Sequence, residues 1–226
     1  MYGNKLKDKR NYDLAIFDMD GTILNSIEDL MNSLNYGLEC CGLPMRTLEE
    51  VTRFVGNGSR RLMESGVPQG TPAEVIDRVH RIFKEHYAIH YNDTTKPYEG
   101  ILQLLEDLQA AECKTAVLSN KMEDAVKKLE ASHFEGLFDE ARGERPGVAR
   151  KPAPDGIEGI LQDLGVAKER TVYIGDSEVD LETAHHAGVD CLIVGWGFRS
   201  PEFLKERGAK EVLESPSQIL KRIVSQ

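Results

Sequence analysis

The run Leu14-Ala15-Ile16-Phe17, followed at once by Asp18-Met19-Asp20-Gly21-Thr22, constrains this chain more than any other segment. A short, unbroken apolar run that ends on a turn signal reads as a strand buried on both faces, the habit of parallel sheets. Open α/β sheets carry their ligands outside the carboxyl ends of such strands. Two carboxylates one residue apart at that edge repel each other and need a cation or a proton to relieve them. A magnesium site with one carboxylate free to attack meets that need. An Asx turn built on Asp20-Gly21 is the other reading of the same residues.

The carboxyl-terminal half alternates strands with helices. Ile101, Leu104, Leu105 and Leu108 recur on one helical face, as do Met122, Ala125, Val126 and Leu129, and again Ile157, Ile160, Leu161 and Leu164. Between them lie strand segments at Thr115–Leu118, around Phe138–Ala141, at Val172–Ile174 and at Cys191–Val194. Such alternation predicts an α/β fold, a Rossmann-like parallel sheet with helices on both faces. From about Asn25 to Thr95 no strand is expected. Ile27, Leu30, Met31 and Leu34 form one helical face, Val75, Val79, Ile82 and Phe83 another, with a shorter helix around Ser59–Glu64. The expected organisation is therefore an α/β core from residues 1–24 and 96–226, with a helical cap from 25–95 inserted after the first strand. An insertion there emerges beside the aspartates and can act as a lid. The alternative is that these helices only complete the core.

Bulk properties narrow the partners. With 226 residues the chain can bury one large domain, or one domain and a smaller lobe. A formal net charge of −10 argues against nucleic acid or an anionic membrane as partner. It would also repel an anionic substrate, so local cations must dominate at the site. The four cysteines, Cys40, Cys41, Cys113 and Cys191, lack metal-binding spacing and read as reduced, mostly buried thiols of a cytoplasmic protein. Met1 to Tyr12 is polar and basic, unlike a signal peptide, and no run of about 18 apolar residues suggests a membrane span.

Two further segments share the pattern of the first, and a third lies between them. Ser119-Asn120-Lys121 follows the apolar Ala116-Val117-Leu118, Arg150-Lys151-Pro152 precedes a helix start at Pro154-Asp155, and Gly175-Asp176-Ser177 closes Val172-Tyr173-Ile174, with Asp180 beyond it. In that order these motifs resemble the haloacid dehalogenase superfamily, and the resemblance spans nearly the whole chain. It implies a phosphatase that works through an aspartyl phosphate. Asp18 would be the nucleophile. Mg²⁺ would be held by Asp18, Asp176 and the main-chain carbonyl of Asp20. Asp20 would protonate the leaving oxygen and then activate water, a role with no use in relatives that cleave carbon–halogen bonds. Ser119 would donate to a phosphoryl oxygen, helped by backbone N–H groups around Asn120, or cap the helix near Met122. Lys151 would pair with Asp18 and the phosphoryl group. Asp180 would hold metal-bound waters or orient Lys151, or else make a helix-surface salt bridge; Glu178 is a weaker candidate for a supporting contact. The histidines, including His86 with His90 and His185 with His186, receive no role.

The cap carries the substrate signal. Phe54-Val55-Gly56-Asn57-Gly58-Ser59-Arg60-Arg61-Leu62 is a glycine-rich turn feeding a helix, where free N–H groups attract anions. It is similar to the corresponding segment of phosphoglycolate phosphatases, which implies that Gly56, Gly58, Arg60 and Arg61 contact the substrate. A plain helix start with exposed arginines is the alternative. The position at which related sugar phosphomutases carry a histidine is Leu30, and the only cap lysine available for a Schiff base, Lys84, lies on an expected surface face. The substrate is thus expected to be a small phosphorylated metabolite, phosphoglycolate first, with pyrophosphate or a sugar phosphate as alternatives. A non-catalytic phospho-ligand-binding protein is the reading from another class. The chain would work as a monomer or homodimer.

Overall fold

The computed structural model describes residues 11–224. The reading of Met1 to Tyr12 therefore falls, through residue 10, outside the described residues. The chain opens with β1 (Leu14–Phe17), whose four side chains are fully buried, as the unbroken apolar run requires. There follow β2 (Leu24–Asn25), four helices α1 (Ile27–Cys40), α2 (Leu48–Phe54), α3 (Gly58–Gly66) and α4 (Ala73–His90), and β3 (Lys96–Pro97). The rest alternates: α5 (Ile101–Ala110), β4 (Lys114–Met122), α6 (Glu123–His133), β5 (Glu140–Glu144), α7 (Asp155–Leu164), β6 (Thr171–Gly175), α8 (Glu178–Ala187), β7 (Asp190–Val194), α9 (Pro201–Glu206), β8 (Val212–Leu213) and α10 (Pro216–Ile223).

Six strands form one sheet in the order β5-β4-β1-β6-β7-β8, with every pairing parallel. The apolar strand β1 is interior, between β4 and β6. Phe17 is level with Val117 and with Ile174, so the residues that follow each strand leave the sheet at one edge. That register brings Asp18, Ser119 and Asp176 together from three distant parts of the chain. One apolar cluster, including Phe17, Leu105 and Phe134, fills one face of the sheet; another, including Ile16, Ile157 and Tyr173, fills the other.

The helices α1 to α4 bury their apolar faces against one another, with Leu34, Leu38, Val51, Met63, Val79 and Phe83 almost wholly enclosed. The chain enters and leaves this bundle through the antiparallel pair β2 and β3. Beside that crossing, the Asp29 carboxylate, 1% exposed, accepts hydrogen bonds from the N–H and hydroxyl groups of both Thr94 and Thr95. Burial works against this carboxylate, but those four donors outweigh it and hold its pKa below the usual range.

Several expectations shift. The strand expected around Phe138–Ala141 lies instead at Glu140–Glu144. Phe138 is used as packing, edge-on against Phe17 and Phe134, while an edge strand paired only to β4 can be polar. The bundle has a further helix, α2, started by a reciprocal capping box between Thr47 and Glu50 that the Thr-x-x-Glu spacing could have revealed. The short helix around Ser59–Glu64 extends over Gly58–Gly66. Only Cys113 of the cysteines is buried; Cys40 is exposed, and Cys41 and Cys191 are partly covered, all as free thiols. Among the described residues no helix is long and apolar enough to cross a membrane.

Candidate active site

Asp18 leaves β1 at the sheet edge, 8% exposed, its N–H bonded to the carbonyl of Ile174 at 2.8 Å. Its carboxylate meets Lys151 Nζ at 2.8 Å, and the same ammonium lies 2.8 Å from Asp180 Oδ1 and donates to the Tyr173 hydroxyl at 2.9 Å. Burial opposes a charge on Lys151, but Asp18 and Asp180 outweigh it and keep the ammonium protonated. Asp180 is fully buried, so its ion pair is no helix-surface bridge. While Oδ1 takes Lys151, Oδ2 accepts from the N–H groups of Asp176 and Ser177 and from the Ser177 hydroxyl. It thereby pins Lys151 and caps α8 at once.

Asp176, 2% exposed, accepts the Phe198 N–H at 2.6 Å and the Thr22 hydroxyl at 3.3 Å. Gly21, with φ +88°, lies against it so closely that a Cβ there would come within 2.4 Å of its Oδ2. Only glycine accepts both that conformation and that approach. Asp18, Asp176 and Asp180 offer carboxylate oxygens all within 4.8 Å of one another. Burial, then the charge of Asp180, raises Asp176 to about 7. Burial foremost, then Asp180 and Asp176, raises Asp18 well above the carboxylate range, with Lys151 offsetting only part. Such a cluster carries more negative charge than its one buried lysine balances, and hard oxygen donors suit a divalent cation. Asp180 is fully occupied by its protein partners, so Asp18 and Asp176 are the carboxylates free to ligate it. These residues fit the metal site expected at the strand ends.

A cleft above this edge separates the sheet from the helical bundle. Asp18, Asp20, Ser119, Asn120, Lys151 and Asp176 line it from below. Ser119 Oγ accepts the N–H of Lys121 at 3.1 Å, and the helix expected near Met122 starts at Glu123 with no side-chain cap. Asn120 Nδ2 donates to the carbonyl of Lys151 at 3.1 Å and to that of Gly56 at 3.3 Å, across the cleft. Asp20 is partly exposed and bonds through Oδ1 to the Ser26 hydroxyl.

From above come Leu30, Val55, Gly56, Gly58, Ser59, Leu62, Phe83 and Tyr87. Arg60 and Arg61 do not line the cleft, which corrects the expectation that they touch a ligand there. Arg60 pairs with Asp77 and Glu64, and Arg61, 64% exposed, pairs with Glu64. Ser59 and Leu62, one turn apart, take the inner face of α3, so the intervening residues point to solvent. The helix start is as expected; its arginines are surface residues.

Lys121, Tyr87 and Arg199 are cleft residues that lay outside the expected site set. Lys121 Nζ, in a side chain 5% exposed, is 3.1 Å from Asp20 Oδ2 and 2.5 Å from the Tyr87 hydroxyl. Burial works against its charge, but Asp20 and Tyr87 overcome this. Burial likewise pushes the Tyr87 hydroxyl up to about 12. Lys121 sits inside the quoted strand-end motif, so its position was the available signal. Arg199 bonds Glu178 at 2.9 Å and the carbonyls of Thr52 and Val55 at 3.0 and 2.8 Å. No sequence signal linked that arginine to the bundle. Elsewhere, His86 and His90 stack with ring centroids 4.2 Å apart and bond Ser33 and Asp93, respectively, and Lys84 is exposed.

The haloacid dehalogenase-like hydrolase family profile matches residues 15–194. The chain is 32% identical, over 82% of its length and 85% of the other's, to a phosphoglycolate phosphatase of Aquifex aeolicus. It is also similar to the pyrophosphatase PpaX of Listeria monocytogenes, 29% identical over 91% of this chain and 93% of that one. A crystal structure from Lactobacillus delbrueckii subsp. bulgaricus superposes with a TM-score of 0.91 at 36% identity, covering 96% of this chain and 100% of that chain.

Proposed function

This chain belongs to the haloacid dehalogenase-like hydrolase family, and from that premise we propose that it is a Mg²⁺-dependent phosphatase acting on a small, anionic phosphomonoester, phosphoglycolate first. The observation that carries the reading is the Asp18 carboxylate at the floor of a closed-over cleft, 2.8 Å from Lys151 and flanked by Asp20.

Asp18 attacks phosphorus in line, the P–O bond to the leaving group breaks, and an aspartyl phosphate remains. A bound divalent cation, held by Asp18, Asp176 and the main-chain carbonyl of Asp20, would neutralise charge on the phosphoryl oxygens. Lys151 lies where it draws on the same charge, and its bonds to Asp180 and Tyr173 fix its direction. Ser119 and the backbone around Asn120 supply donors to a phosphoryl oxygen. Asp20 gives its proton to the departing oxygen and later takes one from the attacking water. The bundle, residues 25–95, acts as the cap over this reaction, gripped from below by Asn120 and Arg199. Its cleft-facing residues Leu30, Val55, Leu62 and Phe83 are apolar and exclude water around the phosphoryl group.

Two observations narrow the reading. The cap wall presents Leu30 where a phosphomutase has its histidine, so transfer to a second sugar hydroxyl lacks its base. The relative from Aquifex aeolicus is named a phosphoglycolate phosphatase. The similarity to a pyrophosphatase keeps pyrophosphate as the second reading. Phosphate release measured with Mg²⁺ across 2-phosphoglycolate, pyrophosphate and sugar phosphates tests both. Highest kcat/KM on 2-phosphoglycolate is expected; release that persists in excess chelator would overturn the mechanism.

A further inference from the structure

We propose that Lys121, held against the cap by Tyr87, is the specificity residue that binds a negative charge on the leaving group. The proposal rests on the reading that Asp20 faces the leaving oxygen. Three cations line the cleft among the described residues: Lys121, Lys151 and Arg199. Lys151 is committed to Asp18 and Asp180. Arg199 spends Nε and both terminal nitrogens on Glu178 and two cap carbonyls. Lys121 is paired too, with Asp20 Oδ2 at 3.1 Å and with the Tyr87 hydroxyl, but of the three it alone stands beside Asp20.

The cleft wall above is lined by the apolar Leu30 and Phe83, and the ring centroid of Tyr87 is 4.6 Å from Nζ. An ammonium in such surroundings binds an anion more strongly than one in water does. The carboxyl carbon of phosphoglycolate is two bonds beyond the leaving oxygen. A leaving oxygen within hydrogen-bond reach of Asp20 therefore puts that carboxylate in the neighbourhood of Lys121. The arginines of α3, turned to solvent, leave this role to the core. Tyr87 comes from α4, so closing the cap is what fixes the lysine in place.

The test compares 2-phosphoglycolate with 2-hydroxyethyl phosphate, its uncharged two-carbon counterpart, in wild type, Lys121→Met and Tyr87→Phe. Loss of a charge-assisted hydrogen bond predicts that Lys121→Met lowers the ratio of kcat/KM values by about ten- to hundredfold, mainly through KM. Tyr87→Phe should lower it less. An unchanged ratio, whether both rates fall or neither does, overturns the proposal and leaves Lys121 as a support for Asp20. If Lys121→Met does not fold, Lys121→Gln and Tyr87→Phe carry the same measurement. Calorimetry with 3-phosphonopropionate and 3-hydroxypropylphosphonate gives a readout free of turnover; the carboxylate compound alone should lose affinity in the variants. A wild type that prefers pyrophosphate to 2-phosphoglycolate would refute the substrate reading. Lys121 would still stand if its replacement then hurts pyrophosphate more than 2-hydroxyethyl phosphate.

Discussion

The floor of the cleft and its cap wall are built in opposite ways. On the floor, Asp18, Asp176 and Asp180 are each 8% exposed or less, and each is locked by groups from other segments of the chain. On the wall, α3 opens with Gly58 and Ser59 toward the cleft while its arginines bridge to Glu64 and Asp77 in solvent. Parallel strands that end in register leave little choice in where their terminal residues go. A helix offers a different direction at every residue, so the charges nearest a glycine turn in sequence need not be nearest the ligand.

That contrast predicts a descending series of effects. Asp18→Asn should cut turnover by roughly 10⁴-fold or more, the scale on which loss of a nucleophile acts, while far-ultraviolet circular dichroism stays unchanged. Retained activity would show that the floor does not carry the chemistry. Lys151→Met should cost about 3–5 kcal/mol of stability, because it strands two buried carboxylates, read from urea denaturation without metal. A loss below about 1 kcal/mol would place that ammonium in the solvated class.

Asp176 supplies a pH test. Its folded pKa, about 7, stands above the unfolded carboxyl value of about 3.9. The group therefore favours the folded state most below about 3.9, and that contribution is lost as pH rises through about 7. In the metal-free state the Tm of wild type relative to Asp176→Asn should fall as pH rises between those limits. Mg²⁺ affinity should move the other way, weakening by up to about tenfold per pH unit below about 7. A Tm difference that stays constant or rises over that range would contradict the crowding of carboxylates.

The bundle's attachment gives a smaller effect. Asp29→Ala removes the acceptor shared by Thr94 and Thr95 and should cost about 1–3 kcal/mol. Amide exchange should speed at Thr94 and Thr95 more than in β1. Equal exchange at both places would show that the two regions open as one. Smallest of all, Arg60→Ala and Arg61→Ala should each leave kcat/KM for 2-phosphoglycolate within about twofold. A tenfold loss would mean that α3 rotates its arginines inward when substrate binds.

The amino-acid order by itself determined the floor. Leu14 to Phe17, Ala116 to Leu118 and Val172 to Ile174 are apolar without a break, so they had to be interior strands. Parallel strands joined by helices then place the following Asp18, Ser119 and Asp176 at one edge. Lys151 was legible too, from its place in the motif order. Even the overlooked α2 had a readable start in Thr47 and Glu50. Phe138 misled because an apolar residue that packs against the core from a loop looks, in sequence, like one that packs from a strand.

Only the tertiary structure decided which cations face the cleft. Arg199 reaches the carbonyl of Val55 across 144 positions of sequence, and Lys121 meets Tyr87 across 34. No periodicity or local motif links such pairs, because they depend on how the helical bundle sits on the sheet. The same placement turned Arg60 and Arg61 outward: spacing along a helix shows which residues share a face, whereas packing selects the face that looks inward.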